Sequence, residues 1–156
     1  MIKLLVVGKI SGKALNDLIN DYLKRIQPYH KLSIVEVADE ATFEDPAQQK
    51  TGMIKEGERI LAKIKAGDKV VLLDLSGDEM DSLVFAQRLD EQFTYSSSAL
   101  IFVIGGSMGV SDAVRKRADQ RWKLSSVTFP HQIVRLLVLE QIFRAFKINQ
   151  HQTYHK

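Results

Sequence analysis

The sequence contains no cysteine among its 156 residues. Disulfide frameworks, thiolate zinc sites, iron–sulfur clusters and cysteine nucleophiles are therefore excluded, and the composition fits a reducing compartment. Long hydrophobic runs are also missing. The apolar start, Ile2–Val7, is too short for a secretory signal, and serines and glycines interrupt the uncharged stretch from Gln92 to Ser111. We therefore expect a soluble, cytoplasmic protein that does not enter the membrane.

Proline and glycine are scarce, with three and nine residues respectively, while 45% of the residues are hydrophobic and 26% are charged. This balance predicts one globular domain over residues 1–156, without linkers or disorder. The charge is unevenly distributed: residues 110–156 hold nine Lys/Arg against three Asp/Glu. A basic last third indicates a polyanionic partner such as RNA, or else a solvated basic face; charge alone favours neither.

The hydrophobic pattern alternates between strand-like and helix-like segments. We predict strands at residues 2–7, 32–37, 69–75, 99–104 and 122–125, and helices at residues 12–27, 46–65, 82–93 and 112–118, with a last helix opened by residues 128–130 and running to about residue 149. Ser82 or Asp81 is expected to cap the third helix. This alternation is typical of an α/β fold with a mainly parallel sheet and helices on both faces.

Three loops follow the carboxyl ends of the late strands, at residues 75–78, 105–110 and 125–130. Ligands bind at that edge of open α/β sheets, where strand ends and helix N-termini meet. Gly105 permits close backbone approach, and Ser125, Ser126 and Thr128 add uncharged hydrogen-bonding groups. This set suits an adenosine-type ligand better than a triphosphate, because the P-loop Lys-Ser/Thr is missing. Ordinary tight turns remain the alternative.

The last helix is apolar around most of its circumference. A surface helix normally has one apolar stripe, so we expect this helix to be covered by a second copy in a homodimer, or else to be internal. Arg135 lies within the apolar surface and would need a carboxylate or carbonyl partner there.

The four histidines lack metal-ligand spacing, so no metal is predicted. We expect His30 to lie on the surface and His131 to be neutral, since it begins the last helix. The tail Tyr154-His155-Lys156 combines a stacking ring, a titratable group and a cation. That combination suits an unstacked nucleobase beside a phosphate, although chain ends commonly fray.

Several motifs, taken together, resemble one known family over essentially the whole chain. They are Val103-Ile104-Gly105-Gly106 through Gly109, Leu124-Ser125-Ser126-Val127-Thr128-Phe129-Pro130-His131, the terminal Tyr154-His155-Lys156, Glu56-Gly57-Glu58-Arg59-Ile60-Leu61, and Val134-Arg135-Leu136-Leu137 leading to Glu140 through Ala145. The family is the RlmH group of bacterial 23S rRNA pseudouridine N3-methyltransferases, within the SPOUT superfamily.

The resemblance implies properties that residue patterns alone do not reveal. It implies a trefoil knot near the C-terminus and a homodimer, in which the tail of one protomer reaches towards the cofactor pocket of the other. The substrate would be a pseudouridine in the helix-69 loop of 23S rRNA on the assembled ribosome. The cofactor would be S-adenosylmethionine (SAM), contacted by Leu73, Gly105, Leu124, Ser125, Ser126, Val127, Thr128 and Phe129.

The same resemblance suggests roles for the tail. His155 is a candidate for accepting the N3 proton or orienting the base, Tyr154 for holding the base, and Lys156 or Arg144 for contacting phosphate. Arg115, Lys116, Arg117 and Arg121 are candidates to track the RNA backbone, unless they form only a solvated face. Two other functions remain: a non-catalytic RNA-binding factor, and a tRNA-directed SPOUT enzyme. The short chain has no room for the extra RNA-binding domain that many of the latter carry.

Overall fold

Five strands pair in parallel to form one sheet. The computed structural model describes residues 1–155, with strands β1 (Ile2–Val7), β2 (Leu32–Val37), β3 (Lys69–Asp78), β4 (Leu100–Ile104) and β5 (Gln120–Trp122). Their order is β2-β1-β4-β3-β5, and every neighbouring pair is parallel. The central strands β1 and β4 are buried almost throughout, which explains their continuous apolar sequences.

Five helices cover the two faces of the sheet. They are α1 (Lys13–Ile26), α2 (Pro46–Leu61), α3 (Ser82–Tyr95), α4 (Asp112–Arg117) and α5 (His131–Asn149). One apolar core includes residues of α1, α3 and α5, and a second core on the opposite face includes residues of α2 and α4. The predicted α/β class with helices on both faces is therefore confirmed. None of the helices within residues 1–155 has the length and apolarity to cross a membrane.

Two predicted boundaries around β3 and β5 are wrong. The chain does not turn at residues 76–78; β3 continues to Asp78, and β5 covers Gln120–Trp122 rather than residues 122–125. Trp122 pairs with both Leu73 and Asp78 across an irregularity in β3. Gly77 permits this arrangement, because a Cβ there would lie 2.6 Å from the carbonyl carbon of Arg121.

Helix α2 also ends earlier than predicted, at Leu61 rather than residue 65. Beyond Leu61 the backbone hydrogen bonds join residues three apart instead of four, from Lys63 N to Ile60 O and from Ile64 N to Leu61 O. Side-chain N-caps are present at α2, α3 and α4. Asp81, and not Ser82, caps α3 by accepting from Val84 N at 2.8 Å.

His30 is not a plain surface residue, contrary to the sequence-based prediction. Its ring is half-buried and stacks on Phe93 with centroids 4.1 Å apart. Burial, followed by the charge of the N-terminal amine, lowers the pKa of His30 below its ordinary value. Phe93 lies far along the sequence, so local pattern gives no sign of this contact.

Arg135 of α5 has no solvent exposure, and its Nη2 donates to Val7 O at 2.6 Å and Gly8 O at 2.9 Å. The predicted need for a carbonyl partner is thus confirmed. One turn earlier, Gln132 Oε1 accepts from Ser11 N at 3.2 Å. The first turns of α5 are therefore bound to the segment that follows β1.

We expect Arg135→Ala to lower the free energy of unfolding by about 3 kcal/mol, because it leaves two buried carbonyls without a donor and opens a cavity. Urea denaturation followed by circular dichroism measures this loss. Arg25→Ala, which removes a half-exposed arginine of α1, is the control and should cost less than about 1 kcal/mol. A loss at Arg135 no larger than the control would contradict the structural role.

Candidate functional site

The three loops chosen from the sequence close around one cavity of about 810 Å³, here called the loop cavity. It opens at the carboxyl ends of β3, β4 and β5, where α5 begins. Of the eight residues predicted to contact a cofactor, all but Ser126 line this cavity. The seven lining residues are Leu73, Gly105, Leu124, Ser125, Val127, Thr128 and Phe129. The hydroxyl of Ser126 instead donates to Glu79 Oε1 at 3.3 Å.

Glycines shape the wall that follows β4. A Cβ at Gly105 would lie 2.6 Å from Val110 Cγ1, so no larger residue fits without movement. Gly109 has a φ of +87° and its N–H donates to Gly106 O at 3.1 Å, which closes a tight turn. The backbone is therefore exposed directly to the cavity, as predicted from the lack of side chains.

Two charged groups lie at the rim of the loop cavity; Asp74 was not selected from the sequence, and Arg115 was selected only as a candidate to contact RNA. Asp74 and Arg115 both line it, with Arg115 Nε 3.5 Å from Asp74 Oδ2. Burial alone would raise the pKa of Asp74, but hydrogen bonds to Ser76 and the charges of Arg115 and Arg121 lower it overall. Asp74 is therefore ionised at neutral pH. Asp74 lies within the predicted strand 69–75 rather than in one of the three loops, so its sequence position did not indicate that it lines the cavity.

His131 also lines the loop cavity, at the first residue of α5. Its pKa is lowered by burial and then by the charge of Arg135. The imidazole is thus neutral at pH 7, in agreement with the prediction, and burial is the largest cause.

A second cavity of about 490 Å³ adjoins the first, and we call it the tail cavity. The two share a wall made of Trp122, Leu124, Ser125 and Phe129. His155 lines the tail cavity, together with residues of α3 and α5 such as Leu83 and Gln141. The structure thus brings one predicted catalytic residue beside the predicted cofactor residues.

The C-terminal tail is held against α5 by several contacts. The Tyr154 ring meets the Phe143 ring edge-on at 5.1 Å, and the Arg144 guanidinium lies 4.9 Å from the Tyr154 centroid. Tyr154 OH donates to Glu140 Oε1 at 3.3 Å, and the same carboxylate accepts from Arg144 Nη2 at 2.6 Å. Residues up to His155 are therefore docked rather than frayed. Lys156 lies outside the described residues.

Glu140 is a member of this cluster that sequence reasoning did not select. Its four-residue spacing from Arg144 on a helix was visible and predicts an ion pair. What the spacing does not reveal is the third partner, Tyr154, which reaches Glu140 only because the chain turns back after α5.

The contact between Arg144 and His155 fixes a tautomer. Arg144 Nη1 lies 3.2 Å from His155 Nδ1, and a guanidinium has only donors. Nδ1 must therefore accept, so the neutral imidazole carries its proton on Nε2. In this arrangement His155 presents a donor, and not a proton acceptor, at Nε2.

The cations proposed to track a polyanion have different surroundings. Arg117 donates to Lys65 O at 3.0 Å and Asp68 O at 2.9 Å, which gives it a structural role. Arg115 and Arg121 are half-exposed beside Asp74, and Lys116 is exposed.

Within residues 1–155, no three His, Asp or Glu side chains are grouped to hold a metal ion.

Comparison with known proteins gives consistent matches. A family model described as "Predicted SPOUT methyltransferase" matches residues 1–155. The protein named ribosomal RNA large subunit methyltransferase H from Carboxydothermus hydrogenoformans is 46% identical over 157 residues, which cover 99% of each chain. Its namesake from Clostridium acetobutylicum is 45% identical with the same coverage.

Among solved structures, a Legionella pneumophila methyltransferase in complex with SAM is 10% identical, with a TM-score of 0.49. The match covers 90% of this chain and 65% of that one.

The phenol of Tyr154 offers a direct check of the docked tail. Burial, followed by interactions with Tyr22 and the charge of Glu140, raises the pKa of Tyr154 to about 12. NMR titration of its ring should therefore show a neutral phenol at a pH where a free phenol, with a pKa of about 10, is ionised. Glu140→Gln should lower the midpoint. A midpoint equal to that of a free phenol would show that the tail is not docked here.

Proposed function

Because the chain belongs to the SPOUT methyltransferase family, we propose that it transfers a methyl group from SAM to N3 of a pseudouridine in the helix-69 loop of 23S rRNA. Relatives named for large-subunit rRNA methylation, 45–46% identical across the whole chain, support rRNA as the substrate. The observation that carries the proposal is the shared wall between the loop cavity and the tail cavity. One cavity suits the cofactor, and the other presents His155 to a base.

The loop cavity fits SAM in size and chemistry. Its volume of about 810 Å³ lies within the range of about 300–1,000 Å³ that is common for small-molecule sites. Backbone groups around Gly105 and the hydroxyls of Ser125 and Thr128 provide hydrogen bonds for an adenosine. When bound, SAM supplies a methyl group on a sulfonium, which is a good leaving group.

The target base would occupy the tail cavity, with the reacting N3 facing the shared wall. Methyl transfer requires alignment of the two reactants, and Leu124, Ser125 and Phe129 form the surface across which they would meet. Tyr154 stays a neutral phenol and serves to hold the base or the tail, and not to accept a proton.

His155 and Arg144 would assist the loss of the N3 proton by stabilising the resulting anion. A pyrimidine that is deprotonated at N3 spreads its charge to its carbonyl oxygens. The Nε2–H of His155 and the guanidinium of Arg144 are donors suited to those oxygens. The tautomer favours base orientation by His155 over direct proton acceptance, and the proton would leave to solvent. Lys156 is proposed to contact phosphate.

The second copy is also part of the proposal. On α5, the exposed Ile133 and the half-buried Leu137 lie one helical turn apart, and a partner helix would cover them in a homodimer. The resemblance implies that the tail reaches towards the loop cavity of the partner; we propose instead that His155 serves the loop cavity of its own chain, whose wall the tail cavity shares. We also propose that residues 123–130 take part in the C-terminal trefoil knot, and that the enzyme acts in the cytoplasm on assembled ribosomes.

Methyl transfer from labelled SAM to ribosomes lacking this modification tests the activity. We expect incorporation into assembled ribosomes, and not into naked rRNA, with His155→Ala lowering kcat on the order of 100-fold. SAM affinity, followed through the fluorescence of the single Trp122 in the cavity wall, should be unchanged by that substitution.

His151→Asn is the matched control, because it changes an exposed histidine of the same tail and asparagine tolerates the positive φ found there. It should retain the wild-type kcat. SAM binding without incorporation would refute the substrate. If the protein neither binds SAM nor supports incorporation, the result would favour a non-catalytic RNA-binding factor.

Light scattering tests the dimer. We expect the wild-type protein to have twice the mass of one chain and Ile133→Glu to shift it towards the monomer, because a buried unpaired carboxylate is costly. Leu18→Glu, at an exposed apolar residue of α1, shows whether any charge on an exposed leucine or isoleucine has this effect. A wild-type monomer would contradict the proposal.

A further inference from the structure

Glu56 of α2 is a buried carboxylic acid that the proposed reaction does not use. Its side chain is only 3% exposed. Oε1 accepts a hydrogen bond from Glu40 N at 2.9 Å, while Oε2 is buried with no hydrogen-bond partner among residues 1–155. Burying a carboxyl group with one oxygen unpaired lowers the free energy of unfolding. Its presence therefore needs a reason beyond helix formation.

The carboxyl lies directly behind the glycine turn of the loop cavity. A Cβ placed on Gly106 would be 3.1 Å from Val7 Cγ1, 3.2 Å from Glu56 Oε2 and 3.5 Å from Glu56 Oε1, so Glu56 is the polar group behind this turn. Gly106 lines the loop cavity on its other side. Glu56 therefore forms the back support of a backbone segment whose front faces the cofactor.

The surrounding face of α2 is built for the same close approach. Gly52 lies under Met108, and Gly57 packs directly against Ser111. These glycines lie within one turn of Glu56 on the helix. Small residues at positions 52 and 57 let the helix approach the segment from 105 to 111 closely. Met53 reaches Gly109, with its Sδ 4.0 Å from where a Cβ would lie, and Glu56 is the side chain of α2 that meets Gly106.

A third segment joins at this point. The chain after β2 approaches through Glu40, whose N–H binds Glu56 and whose carboxylate binds Arg59 at 2.6 Å. Farther along, Thr42 Oγ1 and Ser107 Oγ lie 3.1 Å apart. The acidic segment between β2 and α2 thus contacts the glycine turn directly and through Glu56.

The pKa of Glu56 is raised above its ordinary value, chiefly by burial. The negative charges of Asp39 and Glu40 add to the rise, while the Glu40 N–H and Arg59 oppose it. The glycine turn itself, residues 105–110, contributes no titratable group. A glutamine amide has nearly the same shape as the Glu56 carboxyl, and this similarity supplies a test.

We infer that Glu56 is a positioning residue for the cofactor loop: its carboxyl sets the distance between α2 and Gly106 and ties the segment after β2 to the same point. The identity of the ligand rests on the proposed function, but the effect on the loop does not. Removing the carboxyl should loosen residues 105–110 before any ligand binds.

Two measurements on the full chain test the inference. Amide hydrogen exchange of the free protein should be about tenfold faster at residues 105–110 in Glu56→Ala, because the loop loses its support. SAM should bind that variant about tenfold more weakly, measured by calorimetry. Glu56→Gln keeps the shape and the acceptor for Glu40 N, so its exchange and affinity should both stay within about threefold of the wild type.

Ile60→Val is the control, because it trims another buried side chain one turn along α2. It should lower stability slightly without a selective effect on residues 105–110 or on SAM affinity. Unchanged loop exchange in Glu56→Ala would overturn the inference, as would a Gln variant as impaired as the Ala variant. Failure of the wild-type protein to bind SAM would instead overturn the proposed function, leaving the exchange result to decide the role of Glu56.

Discussion

The hydrogen bonds from Arg135 to the carbonyls of Val7 and Gly8 connect the last helix to the first strand. Only Nη2 of this buried guanidinium is bonded, since Nε and Nη1 have no hydrogen-bond partner among residues 1–155. Losing the two carbonyls would leave the whole group unpaired, so these bonds hold α5 above the end of β1. The rest of the site follows from that position. Residues at the start of α5 line the loop cavity, and residues three turns later hold the tail.

The two cavities are lined by different kinds of chemical group. The loop cavity is formed largely by backbone and small side chains, which recognise a ligand by shape and hydrogen bonding. The tail cavity is bordered by His155, and beside it Arg144 and Glu140 form an ion pair that also engages Tyr154. Both cavities therefore have charged groups beside them: Asp74 and Arg115 pair at the rim of the loop cavity, and Glu140 and Arg144 pair beside the tail cavity.

Much of this arrangement could be predicted from sequence because it depends on local patterns. Continuous apolar runs identified β1 and β4, and the rule that parallel strands end at one edge brought the three loops together. The failures involve contacts between distant segments. Gln120 and Arg121 look like loop residues until β3 pairs with them, and His30 looks exposed until Phe93 covers it. Glu56 lies in a polar helical sequence, and only the close approach of Gly106 shows that it is buried.

The strand order has a consequence for how the protein is made. β1 is synthesised before both of its neighbours, β2 and β4, and its Ile2 pairs with Leu100. Its apolar side chains therefore lack their final neighbours until β4 has been synthesised, and the carbonyls of Val7 and Gly8 lack their donor until Arg135 has been added. Such non-local pairing slows folding and leaves nascent strands exposed to aggregation. The loop cavity is lined by residues from Leu73 to Val134, so it cannot close on a ligand until the chain has been synthesised at least as far as the start of α5.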